Sequence, residues 1–394
     1  MPQSAEAAPL SGRRSLVLGA GIAGLAAATA LRRFGMEADL LEQAPQIAEV
    51  GAGLQISPNG VRVLRALGVD PAQAGDRAEA VELRDASGRL VTRLTLPSDP
   101  GFYLCHRADL IAALEGAARG AGAQIQLLQK VEQIDLGAGE PHVTTAIGTR
   151  HSAPLLIGAD GLHSGLRGAL NGPAAPRFTG QVAWRAVIDG DDGPPVAQVF
   201  MGPGRHLVSY PLRGGRQRNI VAVRERRDWT AEGWNHRDDP AALRHTFRAF
   251  GGPVPGWLEK ITDLWLWGLF RHPVARHWHD GAGRAALLGD AAHPTLPFMA
   301  QGANMGLEDA WTLAARLAAT PDDPAQALQG YQAARRGRTQ AIVGAANRNA
   351  RNYHLRAPLA WGAHTLLRAA GRIAPGTALN RYRWIYDFDA TAPN

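Results

Sequence analysis

The sequence has little of several features that mark common protein classes. Cys105 is the only cysteine among 394 residues, so no disulfide can form within the chain. A lone cysteine suits a reducing compartment, and we expect a cytoplasmic protein with Cys105 in its core. The thirteen histidines include no metal-binding spacing such as H-E-x-x-H. We therefore expect no metal site. No Ser-His-Asp or Cys-His signature of nucleophilic catalysis stands out either.

Long hydrophobic runs and dense basic runs are also missing. The apolar run from Leu16 to Leu31 is shorter than the ~20 residues that cross a bilayer. Two arginines precede it, as in a signal peptide, but we expect no targeting segment, no membrane span and a loose end over residues 1–12. The net charge of +7 comes mostly from scattered arginines. We interpret it as solubility charge or as attraction for a small anionic substrate, and expect no nucleic-acid partner.

What is present begins with a strand, a glycine-rich turn and a helix. Ser15–Leu18 is short and apolar, as in a buried strand. Gly19, Gly21 and Gly24 complete the pattern G-x-G-x-x-G. The first glycine allows the tight turn, the second lets backbone approach a pyrophosphate, and the third lets the helix lie against the sheet. The following helix N-terminus offers free N–H groups to phosphate.

A second strand, Ala38–Leu41, ends at Glu42. An acid about 20 residues after the first glycine accepts hydrogen bonds from ribose hydroxyls in dinucleotide-binding units. A glycine pattern alone is weak, but strand, helix and terminal acid together predict dinucleotide binding.

Two later stretches place an acid beside glycine at a strand end. "PLLIGADG" ends a strand at Gly158 and continues to Asp160-Gly161, and "AALLGDAAHP" ends one at Gly289-Asp290. His293 follows the second acid, and we interpret it as structural rather than catalytic.

The three motifs, in this order and spacing, resemble the single-component FAD monooxygenases, the flavoprotein aromatic hydroxylases typified by salicylate hydroxylase and 3-hydroxybenzoate 6-hydroxylase. "YLCHRADL" with Arg107 and "RWIYDFDA" near the end extend the resemblance over almost the whole chain. It implies that Asp290 meets the FAD ribityl chain and that the helix after Gln301 points its N–H groups at the flavin ring. The implied FAD contacts are Gly19, Gly21, Ala23, Gly24, Glu42, Gln43, Arg107, Val131, Asp290, Gly302, Ala303 and Asn304.

Residues 171–275 are rich in Val, Ile and aromatic residues with Gly/Pro turns, which predicts an antiparallel sheet. A hairpin is expected around Gly202–Gly204. His206 and Tyr210 lie four residues apart, so a strand places them on one face, roughly 13 Å apart along the backbone. Taken alone, the sequence favours a surface histidine on an exposed strand face at position 206. The resemblance matches "HLVSY" to a catalytic His and Tyr, and an ordinary pKa near 6.5 suits His206 as the phenol's base.

The resemblance implies a substrate-binding set of Arg185, His206, Tyr210 and Pro297. Arg185 either binds a carboxylate or braces the sheet, and the sequence leaves both open. Some relatives carry a polar catalytic residue where this chain has Leu296-Pro297-Phe298. Hydrogen bonding at the far side of the substrate ring therefore stays open.

The expected fold class is α/β: a Rossmann-like FAD domain of the kind called GR2, with an inserted antiparallel substrate sheet and a helical C-terminal region. The expected limits are 14–80, 106–170 and 276–345 for FAD binding, 81–105 and 171–275 for the substrate domain, and 346–394 for the C-terminal helices.

The implied reaction is hydroxylation of a small phenolic or heteroaromatic acid by O₂, with FAD as cofactor and NADH or NADPH as a transient reductant. Oxygen transfer would proceed through a flavin C4a-hydroperoxide. No second G-x-G-x-x-G is visible, so the nicotinamide cofactor is expected to bind in a shared groove. The alternatives are an epoxidase or quinone-type ring oxygenase with a larger substrate, and a flavin dehydrogenase or binding protein without oxygen transfer. The C-terminal helices could supply a packing face or a homodimer face.

Overall fold

The computed structural model of the chain describes residues 8–47, 52–228, 236–373 and 377–392. The strands of these residues are β1 (Arg14–Leu18), β2 (Glu37–Leu41), β3 (Gly53–Ile56), β4 (Gly75–Arg77), β5 (Ala80–Asp85), β6 (Leu90–Thr95), β7 (Tyr103–His106), β8 (Gln124–Gln126), β9 (Val131–Asp135), β10 (His142–Thr145), β11 (Arg150–Ser152), β12 (Leu155–Gly158), β13 (Arg177–Asp189), β14 (Val196–Gly202), β15 (Arg205–Leu212), β16 (Gln217–Glu225), β17 (His236–Arg237), β18 (Trp265–Arg271) and β19 (Ala285–Leu287). The helices are α1 (Ile22–Arg33), α2 (Pro58–Ala66), α3 (Pro71–Ala74), α4 (Arg107–Gly120), α5 (Gly165–Asn171), α6 (Pro240–Phe247), α7 (Val254–Glu259), α8 (Gly302–Ala319), α9 (Pro324–Asn352), α10 (Leu359–Ile373), α11 (Thr377–Asn380) and α12 (Arg383–Tyr386).

A parallel sheet has the strand order β19-β12-β1-β2-β8. Its central strands β1 and β12 are nearly continuous apolar runs, as expected of parallel strands that are covered on both faces. Helix α1 packs on α4 and α8. Parallel strands bring their carboxyl ends to one edge, so the turns after β1, β12 and β19 meet there. This confirms the Rossmann-like part of the predicted fold class.

The second large sheet has the order β17-β18-β13-β16-β15-β14-β5-β6. Its pairs are antiparallel except for β14 with β5. The predicted hairpin is present, because Gly202 pairs with Arg205 across a turn at Pro203 and Gly204. Strands β5 and β6 join from far earlier in the chain. Two smaller sheets, β11-β10-β9 and β3-β7-β4, complete the strand pairing of the described residues.

Side chains along β15 of the eight-stranded sheet alternate between its two faces, because successive residues of a strand point to opposite sides. On β15, His206, Val208 and Tyr210 face a cavity, whereas Leu207 joins an apolar core with Trp184 of β13. Helices α6 and α7 close that core from outside. The sheet therefore has one face devoted to packing and one devoted to the cavity.

The N-terminal part of the described chain departs from expectation. Leu10 is buried and its N–H donates to the carbonyl of Phe34 at 2.9 Å, so the predicted loose end is wrong from residue 8 onward. Residues 1–7 lie outside the described part. The domain limits stay a prediction, and the continuous helix α9 crosses the one placed at residue 345. Within the described residues, no helix combines the length and apolarity that a membrane span requires.

A buried ion cluster joins α8 to α9 behind the turn that follows β19. Arg335 donates from Nε to Asp309 at 2.7 Å and pairs with Glu308, and all three side chains are fully buried. Asp309 also accepts from the backbone N–H of Gly289 at 3.0 Å and contacts His293. Burial pushes the pKa of Asp309 upward, but the charges of His293 and Arg335 outweigh it and hold this pKa below its usual value. The cluster fixes the Gly289 turn, and His293 has the structural position expected.

Replacing Arg335 tests this cluster. Arg335→Met removes the buried cation that two buried carboxylates share and leaves only Arg338 beside Glu308 and His293 beside Asp309, so the free energy of unfolding should fall by about 3–5 kcal/mol. Arg216→Met removes an exposed arginine whose side chain makes no hydrogen bond or ion pair with the described residues, and it serves as the control. Urea denaturation of both variants provides the measurement. Equal stability of the two variants would show that the cluster contributes nothing.

Candidate functional site

A cavity of about 1380 Å³ is lined by both large sheets and by the C-terminal region. Its wall brings together fourteen of the predicted site residues, although they come from distant parts of the chain. They are Gly19, Gly21, Ala23, Glu42, Gln43, Arg107, Val131, Arg185, His206, Tyr210, Asp290, Pro297, Gly302 and Ala303. Gly24 and Asn304 lie behind the wall.

The three glycines of the first motif have three different surroundings. Gly19 has φ +98°, and a Cβ there would lie 2.7 Å from the carbonyl oxygen of Ala159. A Cβ on Gly24 would lie 1.9 Å from the Gly19 carbonyl oxygen, so this glycine allows the helix to approach the turn. A Cβ on Gly21 would meet nothing within 4 Å. Gly21 therefore keeps cavity space free at the uncapped N-terminus of α1.

Glu42 connects the first turn to the end of β2. Its Oε2 accepts from the Ala20 N–H at 2.8 Å, and its Oε1 accepts from the Ala44 N–H at 2.9 Å. A carboxylate oxygen has two lone pairs, so both oxygens keep acceptor capacity toward the cavity. This position suits a ligand that carries paired hydroxyl groups.

Two aspartates lie at the ends of β12 and β19. Asp160 accepts from the Gly165 N–H at 2.9 Å through Oδ2, whereas its Oδ1 is buried with no hydrogen-bond partner among the described residues. The Asp290 side chain lies in the cavity wall and is exposed to the cavity. Burial raises the pKa of Asp290, and the charges of His293 and Arg107 oppose that rise. Both carboxylates are placed to accept hydrogen bonds from a bound polar chain.

The loop before α8 is braced from behind. The amide of Asn304 donates to the carbonyls of Gln55 at 3.1 Å and Ala300 at 2.8 Å, and accepts from the Ser57 N–H at 3.0 Å. Its side chain is fully buried. The Asn304 side chain therefore braces the loop and does not line the cavity, and the expected approach of the backbone N–H groups of residues 302–304 to the flavin stays a prediction. Gly302 and Ala303 face the cavity instead.

Arg185 brings a positive charge to the cavity face of the eight-stranded sheet. Its guanidinium lies over the ring of Trp267, 4.6 Å from the centroid. No described carboxylate pairs with it, and its Nε is buried without a hydrogen-bond partner. Burial lowers the pKa of Arg185 to about 10, with Tyr210 opposing and Arg107 adding to the shift. The side chain stays charged at neutral pH and has no counter-ion in the part of the chain that the structure describes.

His206 is almost completely buried at the cavity wall. Its Nδ1 lies 2.7 Å from Nε2 of His354, and the rings of Phe298 and Tyr353 lie within 6 Å of it. Burial is the main cause that holds the pKa of His206 well below its usual value, and the neighbouring His354 lowers it further. The expectation of an ordinary pKa near 6.5 is therefore wrong, because the sequence did not reveal this burial. His206 is neutral at pH 7.

Tyr210 shares the cavity face with His206, as their spacing predicted. Burial raises the pKa of Tyr210, and the Arg185 charge opposes that rise without cancelling it. The phenol therefore stays protonated and can donate a hydrogen bond into the cavity. It cannot act as a base near neutral pH.

Sequence reasoning missed several residues around His206. His354, Tyr353 and Glu225 belong to the loop after α9 and to the end of β16, and none carries a motif. Asp160 appeared in a quoted motif but was not among the predicted site residues. Only the fold brings His354 next to a strand 148 residues earlier.

The residues present fit FAD. The pyrophosphate of a dinucleotide must approach a helix N-terminus closely, and Gly21 leaves that approach free of side chains. The ribose and ribityl hydroxyl groups need hydrogen-bond acceptors, and Glu42 and Asp290 provide them. The buried Oδ1 of Asp160 also lacks a partner that a ligand could supply.

Comparison with known proteins agrees with this geometry. A family model described as an FAD binding domain matches residues 14–346. The chain is 36% identical over 357 residues to a 3-amino-4-hydroxybenzoate 2-monooxygenase of Streptomyces cremeus, covering 87% of this chain and 88% of the relative. It is also 36% identical to a 3-hydroxybenzoate 6-hydroxylase of Polaromonas naphthalenivorans (strain CJ2), covering 95% and 96%. A solved salicylate hydroxylase substrate complex matches with a TM-score of 0.80 and 26% identity, covering 96% of each chain.

The glycine turn with Glu42 and Asp290, the cavity between the two large sheets and these similarities all indicate one family. The chain belongs to the FAD-dependent aromatic hydroxylases, and it is a flavoprotein monooxygenase with FAD as its cofactor.

Proposed function

We propose that the protein hydroxylates a small aromatic ring that carries both a carboxylate and a phenol hydroxyl. The observation that carries this proposal is Arg185, a charged side chain without a counter-ion in a cavity wall that also holds the neutral base His206. Among the described residues that the eight-stranded sheet contributes to the cavity, no other side chain carries a charge at neutral pH. A carboxylate is the ligand group that matches a guanidinium best.

Each side chain of this face has a separate task in the proposal. Arg185 binds the carboxylate and fixes the orientation of the ring. His206 accepts the phenol proton, because deprotonation enriches the ring carbons ortho and para to the oxygen. Tyr210 donates a hydrogen bond to an oxygen of the substrate. Pro297 limits the space beside the ring.

Bound FAD supplies the activation of O₂ and the transfer of one oxygen atom, after reduction by NADH or NADPH. In the proposal, Gly19, Gly21, Glu42, Arg107, Asp160 and Asp290 hold the cofactor, with Ala23, Gln43, Val131, Gly302 and Ala303 as further contacts. Gly24 acts through packing and Asn304 by bracing the loop. Buried apolar neighbours such as Phe298 exclude water from the reacting ring.

Location and assembly are part of the same proposal. We infer a cytoplasmic enzyme, and a homodimer is supported by the exposed Leu359, Trp361 and Leu366 on α10.

The activity itself can be tested with the benzoates named for the relatives. Holoenzyme is mixed with NADH or NADPH and with 3-hydroxybenzoate, salicylate or 3-amino-4-hydroxybenzoate. At least one should give a hydroxylated product in near one-to-one ratio to the reductant consumed, with oxygen uptake to match. A dehydrogenase would oxidise substrate without incorporating oxygen, and a ring oxygenase for larger substrates would leave all three benzoates unchanged.

The role of Arg185 predicts a specific loss of carboxylate recognition. Arg185→Gln should weaken binding of the preferred hydroxybenzoate by roughly 10- to 150-fold, because a hydrogen bond to a charged group contributes about 1.5–3 kcal/mol. Binding of the matching carboxamide should change little.

Arg237→Gln is the matched control, because Arg237 also lies over a tryptophan of this sheet, 5.0 Å from the Trp265 ring centroid, but is exposed. Titration of flavin absorbance gives the dissociation constants. If Arg185→Gln weakens acid and amide equally, Arg185 only braces the sheet.

The role of Glu42 predicts weaker cofactor retention. Glu42→Ala should raise the dissociation constant of FAD by roughly 10- to 150-fold, since a hydrogen bond to a carboxylate is lost. Glu37→Ala, which changes an exposed acid on the same strand, should leave it unchanged. Rebinding of FAD to apoprotein, followed by flavin fluorescence, measures both. Equal affinities in the two variants would remove Glu42 from the FAD site.

A further inference from the structure

Three side chains form a continuous hydrogen-bonded chain from the cavity to the protein surface. Nδ1 of His206 lies 2.7 Å from Nε2 of His354, and Nδ1 of His354 lies 3.1 Å from Oε1 of Glu225. The exposed fraction is 2% for the side chain of His354 but 46% for that of Glu225. The chain therefore starts at the buried wall and ends in solvent.

The backbone holds this chain in place. Glu225 is the last residue of β16, and its N–H donates to the Gly204 carbonyl at 2.9 Å. The Gly204 N–H donates in turn to the carbonyl of His354 at 3.3 Å. The β14–β15 turn thus connects the two outer members, and His206 lies on the strand that leaves this turn. All three positions are fixed by one hairpin.

The chain also fixes which ring nitrogens carry protons. An ionised Glu225 only accepts, so His354 must donate from Nδ1 and keep a lone pair on Nε2. His206 must then donate from Nδ1, which leaves the lone pair on its Nε2. That nitrogen has no hydrogen-bond partner among the described residues, and His206 lines the cavity whereas His354 does not. The surface carboxylate of Glu225, acting through His354, therefore orients the buried His206 so that its Nε2 can accept a proton from the cavity.

We propose that His354 and Glu225 form the proton exit of the active site, with His354 as a positioning residue and relay; this rests on the proposed hydroxylation of a phenol. The phenol O–H bond breaks and its proton binds Nε2 of His206. The Nδ1 proton of His206 passes to Nε2 of His354, and the Nδ1 proton of His354 passes to Glu225. Glu225 releases its proton to water, and ring rotation or reverse transfer restores the starting tautomers.

The electrostatic surroundings support this direction. Arg356 lies 3.5 Å from the other carboxylate oxygen of Glu225, and the charge of Arg205 acts on His354. Arg224 and His245 line the same surface hollow as Glu225, and the amide of Gln181 contacts His354 Nδ1 at 3.5 Å. Burial lowers the pKa of His354, Glu225 opposes that shift, and Arg205 adds to it. Glu225 therefore lies between the buried His354 and the basic groups of the surface, where water can take up a proton that leaves the relay.

The test follows ionisation of a bound phenol in the intact holoenzyme. The probe is the hydroxybenzoate that the parent hydroxylates, mixed without oxygen or reductant, with phenolate absorbance and a pH indicator as readouts. Glu225→Gln and His354→Asn should slow phenolate formation and proton release by about 10²-fold, within the range of general acid–base effects. Substrate affinity and FAD content should stay near the parent values. Added imidazole should restore the rate in Glu225→Gln, because a small base can accept the proton from His354.

Glu259→Gln, at an exposed acid on α7, is the control and should behave like the parent. If Glu225→Gln ionises the probe at the parent rate, or is slow without rescue by imidazole, the proton exit is wrong. Should His354→Asn fail to fold, the surface variant still decides. A parent that neither hydroxylates nor ionises any of the benzoates overturns the proposed function, and the proton exit with it. A parent that does so alongside unaffected variants overturns the proton exit alone.

Discussion

The positive charge of Arg185 inside the cavity is the constraint on which the account of this active site depends. Removing a guanidinium from water is costly unless an opposite charge or strong hydrogen bonds replace the lost hydration. The protein supplies part of that replacement through the Trp267 ring, 4.6 Å away, but no described carboxylate. A ligand that brings its own carboxylate completes the site. The ring of such a ligand is then oriented by Arg185, and its hydroxyl can face His206.

Two different sheet architectures are needed to build this one cavity. Parallel strands bring Gly19, Asp160 and Asp290 to one edge, where backbone N–H groups and carboxylates suit a dinucleotide. In the mostly antiparallel eight-stranded sheet, side chains of β15 alternate between the faces, so one face packs on helices while the other presents His206 and Tyr210 among valines. Beneath the parallel sheet, Asp309 and Arg335 secure the turn that carries Asp290. The residues that suit the cofactor therefore belong to the parallel sheet, and those that suit the substrate belong to the eight-stranded sheet.

Much of this organisation could be predicted from short-range patterns. The glycine turn, Glu42 and the hairpin before His206 follow from local spacing, and the resemblance to aromatic hydroxylases supplied the connection between them. The contact of His206 with His354 could not be predicted, because it joins a strand to a loop beyond a 29-residue helix. The lowered pKa of His206 could not be predicted for the same reason, because it arises from burial of the ring and from the neighbouring His354. The bracing of the loop by the Asn304 side chain could not be predicted either, because the sequence at a helix N-terminus does not reveal which side chains point backward into the core.

A crystal structure of the oxidised holoenzyme with its preferred hydroxybenzoate tests the central claim most directly. The account predicts the substrate carboxylate in contact with the Arg185 guanidinium and the phenol oxygen within hydrogen-bond distance, about 2.6–3.2 Å, of Nε2 of His206. A substrate bound with its carboxylate toward solvent, and with Arg185 paired to another group, would contradict it.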